Sequence, residues 1–219
     1  MARWRDRSLE RALEREKRKS EEQSLRFVAA ARDLALETGS LDFTVQQVID
    51  RSGVSLRSFY RNFAGKDELC LALFEEMTEE TCEEIAKRLS RLDDPIERLS
   101  TIVRRLYVAE RGGRLAGSIS RQVHELVANR PEDLRTSQQP VVDLIELEIE
   151  HAVERGVLAP QDARKQAVSL LITITAHNQW RSDGVMGGSW PVISLEDLWT
   201  ICRRQLGIDS TPSDPPGRG

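Results

Sequence analysis

Hydrophobic residues recur along most of the chain at the three- and four-residue spacing of helices, without the strict alternation that is typical of strands. Capping residues, glycines and prolines divide this pattern into segments. The predicted helices cover about residues 20–38, 45–52, 56–63, 66–92, 95–110, 115–129, 139–155, 161–181 and 195–206. Before them, Leu9 and Leu13 stand four apart and permit a further, frayed helix. The sequence therefore predicts an all-α protein.

Two of the shortest predicted helices lie on either side of a tight turn. Thr44 and Gln47 have the spacing of a capping box, which begins a helix by satisfying two backbone donors. Gly53 stands where this helix must end and reverse, because glycine adopts a positive φ at little steric cost. Ser55 is then a favourable N-cap for the second helix. The pattern indicates a helix-turn-helix.

The second of these helices has one apolar and one polar face. Phe59 and Phe63 are four residues apart and share the face expected to be buried. The other positions are Leu56, Arg57, Ser58, Tyr60, Arg61 and Asn62. Hydrogen-bond donors and a phenol suit contact with phosphates and base edges. The alternative is an ordinary helical hairpin with a solvated polar face.

Residues 27–74 resemble the TetR family of one-component transcriptional regulators. The resemblance is carried by Thr44-Val45 and Val48, Gly53-Val54-Ser55, Ser58-Phe59-Tyr60, Phe63, and Lys66-Asp67-Glu68-Leu69 at fixed spacing. It implies a three-helix DNA-binding domain followed by a helical ligand-binding and dimerisation domain. We accordingly divide the chain into a basic N-terminal extension (1–19), the helix-turn-helix domain (20–66), the ligand-binding and dimerisation domain (67–209) and a disordered tail (210–219), rich in proline and glycine.

The resemblance implies roles for individual residues. Thr44 caps its helix and touches phosphate, and Tyr60 and Lys66 bind the DNA backbone. The start of the recognition helix approaches bases or backbone in the major groove. With Arg61 and Asn62 from the polar face, the predicted DNA-binding residues are Thr44, Ser55, Arg57, Ser58, Tyr60, Arg61, Asn62 and Lys66. Asn62 replaces a histidine or aromatic residue usual in the family, and Ala64-Gly65 replaces a polar pair, which predicts a weaker cap for the next helix.

The charge distribution agrees with this division. The chain has a net charge of −4, but residues 1–66 contain 14 Lys and Arg against 10 Asp and Glu, so the remainder is acidic. The extension over residues 1–19 has a net charge of +4. It is interpreted either as an arm that reaches neighbouring phosphates or as a solvated leader.

Two helices near the C-terminus indicate a homodimer. The segment Ala167 to His177 is apolar over most of its circumference and needs cover on more than one side. The last helix has one apolar stripe, formed by Leu195, Leu198, Trp199, Cys202 and Leu206. The resemblance implies that these helices pair with those of a second subunit, which suits a pseudo-palindromic double-stranded DNA operator. The alternative is that the stripe closes the core of the monomer.

The family also implies a small-molecule effector that binds among the body helices and alters the separation of the two DNA-binding domains. The candidate ligand-binding residues are Tyr107, His124, His177, Asn178 and Trp180. With aromatic residues at 5 % and few charged clusters, a mainly apolar effector is predicted. The expected function is a repressor that leaves its operator when the effector binds.

Other function classes find less support. No H-E-x-x-H, G-x-S-x-G, P-loop or G-x-G-x-x-G motif occurs, so neither an enzyme nor a cofactor is indicated. Three separated cysteines, Cys70, Cys82 and Cys202, suggest neither a disulfide framework nor a metal site. A thiol switch and an architectural DNA binder without an effector remain as alternatives. The chain contains no apolar run of membrane-spanning length, and a cytoplasmic location is expected.

Overall fold

The computed structural model describes residues 3–107, 130–182, 184–187 and 190–208, and within these ranges all regular structure is helical. The helices are α1 (Arg3–Thr38), α2 (Val45–Ser52), α3 (Leu56–Asn62), α4 (Lys66–Leu89), α5 (Pro95–Leu106), α6 (Pro131–Glu154), α7 (Ala163–Ser182) and α8 (Leu195–Leu206). The predicted all-α class is confirmed. The predicted helix over 115–129, the break at residues 111–113 and the tail over 210–219 lie outside the described residues.

The first helix is longer than predicted. A helix start at Ser20 is wrong, because α1 runs without interruption from Arg3 to Thr38. Ser20 and Gln23 have the spacing of a capping box, but residues 3–19 consist largely of Arg, Lys, Glu, Leu and Ala, which favour a helix and continue it through Ser20. The Ser20 hydroxyl donates instead to Oδ1 of Asn62 on α3. Ser20 is therefore part of a contact between helices.

The head consists of α1, α2, α3 and the first turns of α4 around an aromatic core. Phe27 and Phe59 are fully buried, and their rings meet edge to face at a centroid distance of 5.3 Å. Phe63 lies 6.2 Å from Phe27 and completes the cluster. On the surface, Arg51 of α2 makes a bidentate pair with Glu37 of α1 at 2.7 and 2.8 Å. These contacts hold α2 and α3 rigidly on α1.

The body has a separate core formed by α5 to α8 and the second half of α4. Its fully buried side chains include Ile85, Leu99, Ile145 and Ile174, one from each of α4 to α7. At the start of α5, Asp94 caps the helix by accepting a hydrogen bond from the backbone N–H of Ile96 at 3.2 Å. The helix α4 contributes to both cores and so connects the head to the body.

Helix ends in the body differ from two predictions. The break expected at Arg130-Pro131 is in fact the beginning of α6, since proline is tolerated in the first turn, where its missing N–H has no helical partner. Pro140 then lies inside α6, so the predicted start near Gln139 is wrong. The helix α4 ends at Leu89, three residues before the predicted end.

Candidate functional site

The turn between α2 and α3 is built by local backbone contacts. Thr44 Oγ1 accepts from the N–H of Gln47 at 3.2 Å, and Gln47 Oε1 accepts from the N–H of Thr44 at 2.7 Å. Gly53 ends α2 with φ +63°, and its N–H donates to the carbonyl of Ile49 at 3.0 Å. Ser55 then caps α3 by accepting from the N–H of Ser58 at 3.2 Å. The capping predicted from the sequence is confirmed at each position.

The turn is also supported from α1. Arg26 Nη2 donates to the carbonyl of Ser52 at 2.5 Å, which satisfies a carbonyl at the end of α2. A Cβ added to Gly53 would lie 3.3 Å from the same guanidinium nitrogen. Glycine is thus required at position 53 by its positive φ, and the approach of Arg26 leaves little room beside it.

The exposed face of α3 carries the predicted recognition residues. Ser55 and Arg57 are exposed, and among the described residues Arg57 has neither a hydrogen-bond nor an ion-pair partner. Tyr60 packs edge to face on buried Phe59 at 5.4 Å and keeps 58 % of its surface accessible. Ser58 is partly exposed, with its Oγ 3.1 Å from that of Ser55. The arrangement presents a guanidinium, hydroxyls and a phenol together on one short helix.

Arg61 and Asn62, at the end of α3, are both engaged with α1. Arg61 Nη1 pairs with Glu16 at 2.7 Å, and Nη2 donates to Gln23 Oε1 at 2.7 Å. Asn62 accepts from the hydroxyl of Ser24 at 3.2 Å and donates to the carbonyl of Ser58 at 2.7 Å. In this arrangement Asn62 serves as a brace between helices, and Arg61 is oriented by α1. Sequence analysis missed this role for Glu16 and Gln23, since neither has a motif.

Two further predicted DNA-binding residues lie at helix starts on either side of α3. Thr44 is exposed and uses its hydroxyl in the cap of α2. Lys66 begins α4, and its Nζ lies 5.2 Å from the ring centroid of Phe43. As expected from Ala64-Gly65, α4 has no side-chain cap, although Glu68 accepts from the N–H of Ala64 at 2.5 Å. The three helix starts thus lie within one small domain.

In the body, three of the predicted ligand-binding residues lie at the meeting of α5 and α7. The rings of Tyr107 and His177 stack at 5.5 Å, and Arg181 donates to the Tyr107 hydroxyl at 3.0 Å. Asn178 Nδ2 donates to the carbonyl of Leu106 at 2.7 Å. His177 is 6 % exposed, and its Nε2 is buried without a hydrogen-bond partner. Burial and then the charge of Arg181 lower the pKa of His177.

Trp180 does not belong to this group. Trp180 is 47 % exposed and lies 6.2 Å from Trp190, in the segment after α7. His124 lies outside the described residues. Sequence analysis missed Arg181, which faces Tyr107 with its guanidinium carbon 4.7 Å from the ring centroid. Its position four residues after His177 was the available signal.

A small apolar cavity lies next to the Tyr107 and His177 pair. It measures about 10 Å³ and is lined by Leu99, Ile102, Val103, Ile145, Leu170, Ile174 and Leu206. The lining comes from α5, α6, α7 and α8; Ile174 precedes His177 by one helical turn, and Val103 precedes Tyr107 by one turn. The volume corresponds to about one water molecule.

The apolar stripe of α8 does not have the predicted role. Leu198, Trp199, Cys202 and Leu206 are all at most 7 % exposed and pack in the body core of the same chain. The assignment of this stripe to a subunit interface is therefore wrong, and the alternative of a closed monomer core is correct. The residues that stay exposed are Val168, Ile172 and Trp180 on α7 and Ile201 on α8.

The cysteines are poorly suited to redox chemistry. Cys70 and Cys202 are buried, and Cys82 is half-buried. Burial raises the pKa of Cys82 and of Cys202 to about 11, so both remain protonated near neutral pH. Within the described ranges, no group of three or more His, Cys, Asp or Glu could hold a metal ion. None of the described helices combines the length and the hydropathy that a membrane-spanning helix requires.

Comparison with known proteins agrees with this geometry. The family model of bacterial regulatory proteins of the tetR family matches residues 27–73. The HTH-type transcriptional regulator BetI of Brucella anthropi is 35 % identical over 75 residues, which cover 32 % of this chain and 39 % of BetI. The matched segment thus spans well under half of that relative.

Solved structures match over most of the chain. The FadR repressor of Thermus thermophilus, in complex with lauroyl-CoA, has a TM-score of 0.67 at 20 % identity, covering 90 % of this chain and 99 % of that one. RolR in complex with resorcinol has a TM-score of 0.66 at 17 % identity, with 89 % and 92 % covered. A putative TetR-family regulator of Syntrophomonas wolfei has a TM-score of 0.64 at 18 % identity, with 89 % and 99 % covered. At these identities the likeness concerns the fold.

Fold and site together define an all-α helix-turn-helix protein with a second, helical domain. The capped turn, the aromatic head core and the matched segment all fall in the same residues. The helix-turn-helix segment, residues 27–73, belongs to the tetR family of bacterial regulatory proteins.

Proposed function

We propose that this protein is a dimeric transcriptional regulator that binds double-stranded DNA at a pseudo-palindromic operator. The observation that carries the proposal is the exposed face of α3. It presents Ser55, Arg57, Ser58 and Tyr60 on a helix held by an aromatic core and capped at its start. A short, rigid helix of this kind fits the major groove, where its side chains reach base edges and phosphates.

Each side chain has a role that follows from its chemistry. Arg57 is exposed and unpaired among the described residues, so its guanidinium is available for a base edge or a phosphate. Tyr60 and Thr44 offer hydroxyls to the backbone, and Lys66 offers a point charge. Arg61 reaches the duplex from the position set by Glu16 and Gln23. Asn62 contributes by fixing α3 on α1.

The second subunit is proposed to pack on the exposed apolar face of α7. Val168 and Ile172 are 40 % and 61 % exposed and lie one turn apart, and Ile201 of α8 is 42 % exposed. Apolar side chains in such a row normally find a partner surface. A two-fold dimer would present two copies of α3 to the two half-sites of an operator.

The effector is proposed to be a mainly apolar small molecule that binds along the seam between α5 and α7. The seam combines an apolar cavity with the buried, unpartnered Nε2 of His177 and the hydroxyl of Tyr107. Structures of the same fold hold resorcinol or acyl-CoA molecules. The protein is proposed to be a cytoplasmic repressor that releases its operator when the effector binds.

The DNA-binding proposal is tested by a binding assay at controlled salt. The purified protein is titrated with DNA from its own upstream region and with scrambled DNA of equal length, and the Arg57→Ala and Tyr60→Phe variants are compared. We expect selective binding, weakened by about 1–3 kcal/mol in Arg57→Ala if the side chain contacts a base. Arg91→Ala, an exposed arginine of the body, is the matched control and should bind as the wild type does.

Different outcomes separate the alternatives. If the protein binds its upstream DNA and scrambled DNA equally, the comparison is repeated with genomic fragments selected for binding. Equal affinity for these fragments and for scrambled DNA would indicate an architectural protein without sequence preference. The architectural alternative has one observation in its favour, because the described cavity of about 10 Å³ holds no effector without rearrangement. A screen of apolar compounds for release of the bound DNA then decides whether the protein responds to an effector.

A further inference from the structure

The N-terminal part of α1 extends beyond the helix-turn-helix domain as a single helix. Residues 3–19 add about 25 Å to the helix at 1.5 Å per residue. From Arg7 to Lys19 every residue is exposed, so no described part of the same chain covers this segment. A helix that continues the domain into solvent presents its side chains to whatever lies beside the head.

One side of this extension is a row of arginines. Arg7, Arg11, Arg15 and Arg18 are spaced by four, four and three residues, which places them within about 80° of one another around the helix at 100° per residue. None of the four forms an ion pair with a described acidic residue, and the one polar contact among them is from Arg11 Nε to the carbonyl of Arg7 at 3.0 Å. Glu10 and Glu14 border the row. We call these four residues the arginine row.

The extension leaves the head directly beside the recognition helix. Glu16 lies between the arginines in sequence and pairs with Arg61 of α3 at 2.7 Å, while Gln23 accepts from the same guanidinium at 2.7 Å. Beside Gln23, Ser24 donates to Asn62 at 3.2 Å. The extension is therefore fixed against the end of α3 by one side of α1, and the arginine row lies on the opposite side, which faces away from the half-site contacted by α3.

We propose that the extension is a second DNA-binding element, in which the arginine row contacts the phosphates of the duplex outside the half-site. The inference rests on the proposed DNA binding by α3. From Arg7 to Arg18 the row is about 17 Å long, which matches about five base pairs of duplex at 3.4 Å each. Such contacts are independent of base sequence and increase affinity through the release of counterions.

A membrane surface is the other partner that a basic helix can have, but the apolar side of this one is small. Leu9 and Leu13, each 62 % exposed, are its only large apolar residues between Arg7 and Lys19. Trp4, which is 63 % exposed, lies on the arginine side of the helix. Two leucines bury too little apolar surface for firm insertion into a bilayer.

The test compares two duplexes and three variants of the full-length protein. One duplex holds the selected site alone, and the other adds about one helical turn (~10 base pairs) on each side. In the first variant all four arginines of the arginine row are replaced by glutamine, and in the second all four are replaced by lysine. The third is a control with the same reduction of charge in the body, Arg88→Gln, Arg91→Gln, Arg155→Gln and Lys165→Gln. All four control residues are exposed.

We expect the wild type to bind the longer duplex more tightly, with a steeper dependence of log Kd on log salt. The glutamine variant should abolish this difference, and its slope should fall by roughly 0.9 for each phosphate that the row no longer neutralises. The lysine variant and the body control should retain the wild-type slope. Circular dichroism verifies that the exposed helix persists in each variant.

Three results would overturn the proposal. If the glutamine variant keeps the wild-type slope on the longer duplex, the arginine row does not touch DNA. If the body control weakens binding as much as the glutamine variant does, the effect is one of net charge. In the third result, the wild type and the glutamine variant have equal slopes of log Kd for DNA against log salt, while the glutamine variant alone fails to bind vesicles of phosphatidylcholine and phosphatidylserine. In that case the partner of the arginine row is a membrane. Absence of selective DNA binding by the wild type would instead overturn the proposed function, and this inference with it.

Discussion

Arg98 and Glu148 form the most buried ion pair among the described residues. The Glu148 side chain is 3 % exposed and accepts from Arg98 Nε and Nη2 at 2.6 and 2.7 Å. Arg98 Nη1 also donates to the carbonyl of Leu92 at 2.9 Å, beyond the end of α4. One guanidinium therefore connects the end of α4 with α5 and α6: the carboxylate accepts from Nε and Nη2, and backbone carbonyls accept from Nη1.

Removing one member of this pair leaves the other charge buried. We expect Glu148→Ala to lower the free energy of unfolding by about 3–5 kcal/mol, measured by urea denaturation at neutral pH. The control is Glu132→Ala, which removes the partner of Arg135 from an ion pair whose carboxylate side chain is 77 % exposed. That change should cost less than about 1 kcal/mol. Similar decreases in the two variants would contradict a special role for burial.

We expect the stability of the body to depend on pH through His177, whose Nε2 is buried without a hydrogen-bond partner. Burial, followed by the charge of Arg181, lowers its pKa, so the unfolded chain binds a proton more readily than the folded one. The stability from this neutral histidine is complete above the unfolded pKa of about 6.5 and is lost as pH falls below it.

The pH prediction is checked by urea denaturation between about pH 7 and pH 5. The free energy of unfolding should fall across this range, and in His177→Gln the fall should be smaller, whatever the absolute stability of the variant. An unchanged slope in His177→Gln would show that other groups cause the dependence.

At the scale of elements, two helices begin with the same device in different domains. Thr44 and Gln47 cap α2 in the head, and Ser194 and Asp197 cap α8 in the body. In both, the hydroxyl accepts from a backbone N–H at 3.2 Å and the N3 side chain accepts in return. The pair allows the structural and the DNA-binding contributions of a cap to be separated.

We expect Thr44→Ala and Ser194→Ala each to lower the free energy of unfolding by about 1 kcal/mol. Thr44→Ala should also weaken DNA binding, because it loosens the start of α2 and removes a hydroxyl that is proposed to contact the DNA backbone. Ser194→Ala should leave the affinity unchanged. Thermal denaturation and the DNA titration measure the two effects, and equal affinities in the two variants would remove Thr44 from the DNA interface.

Elements governed by local signals were predicted well from sequence. Thr44, Gly53 and Ser55 act within four residues of their own position, and their backbone conformations are those expected. Predictions failed where the deciding contact is distant. The Ser20 hydroxyl contacts Asn62 of α3, and Arg61 meets Glu16, 45 residues away. Likewise, periodicity showed that α8 has an apolar stripe but could not show which surface covers it.

At the scale of the whole molecule, the exposed apolar face of α7 predicts an assembly. Ile172, which is 61 % exposed, lies at its centre. We expect Ile172→Glu to produce a monomer in light scattering and to weaken operator binding at least about tenfold, since one protomer contacts one half-site. Leu36→Glu, at a similarly exposed leucine of α1, is the control and should leave the mass unchanged. A dimeric Ile172→Glu protein would place the interface elsewhere.

The helix α4 has a thermodynamic consequence for the body. Leu69 and Leu73 belong to the head core, and Ile85 and Leu89 of the same unbroken helix belong to the body core. Because neither the head core nor the body core can unfold without fraying α4, the unfolding free energies of the two cores are partly coupled. DNA at a concentration about a hundredfold above its Kd stabilises the state that binds it by about 2.7 kcal/mol. We therefore expect backbone amides of the body core, which lie away from the DNA, to exchange their hydrogens more slowly in the DNA-bound protein than in the free protein.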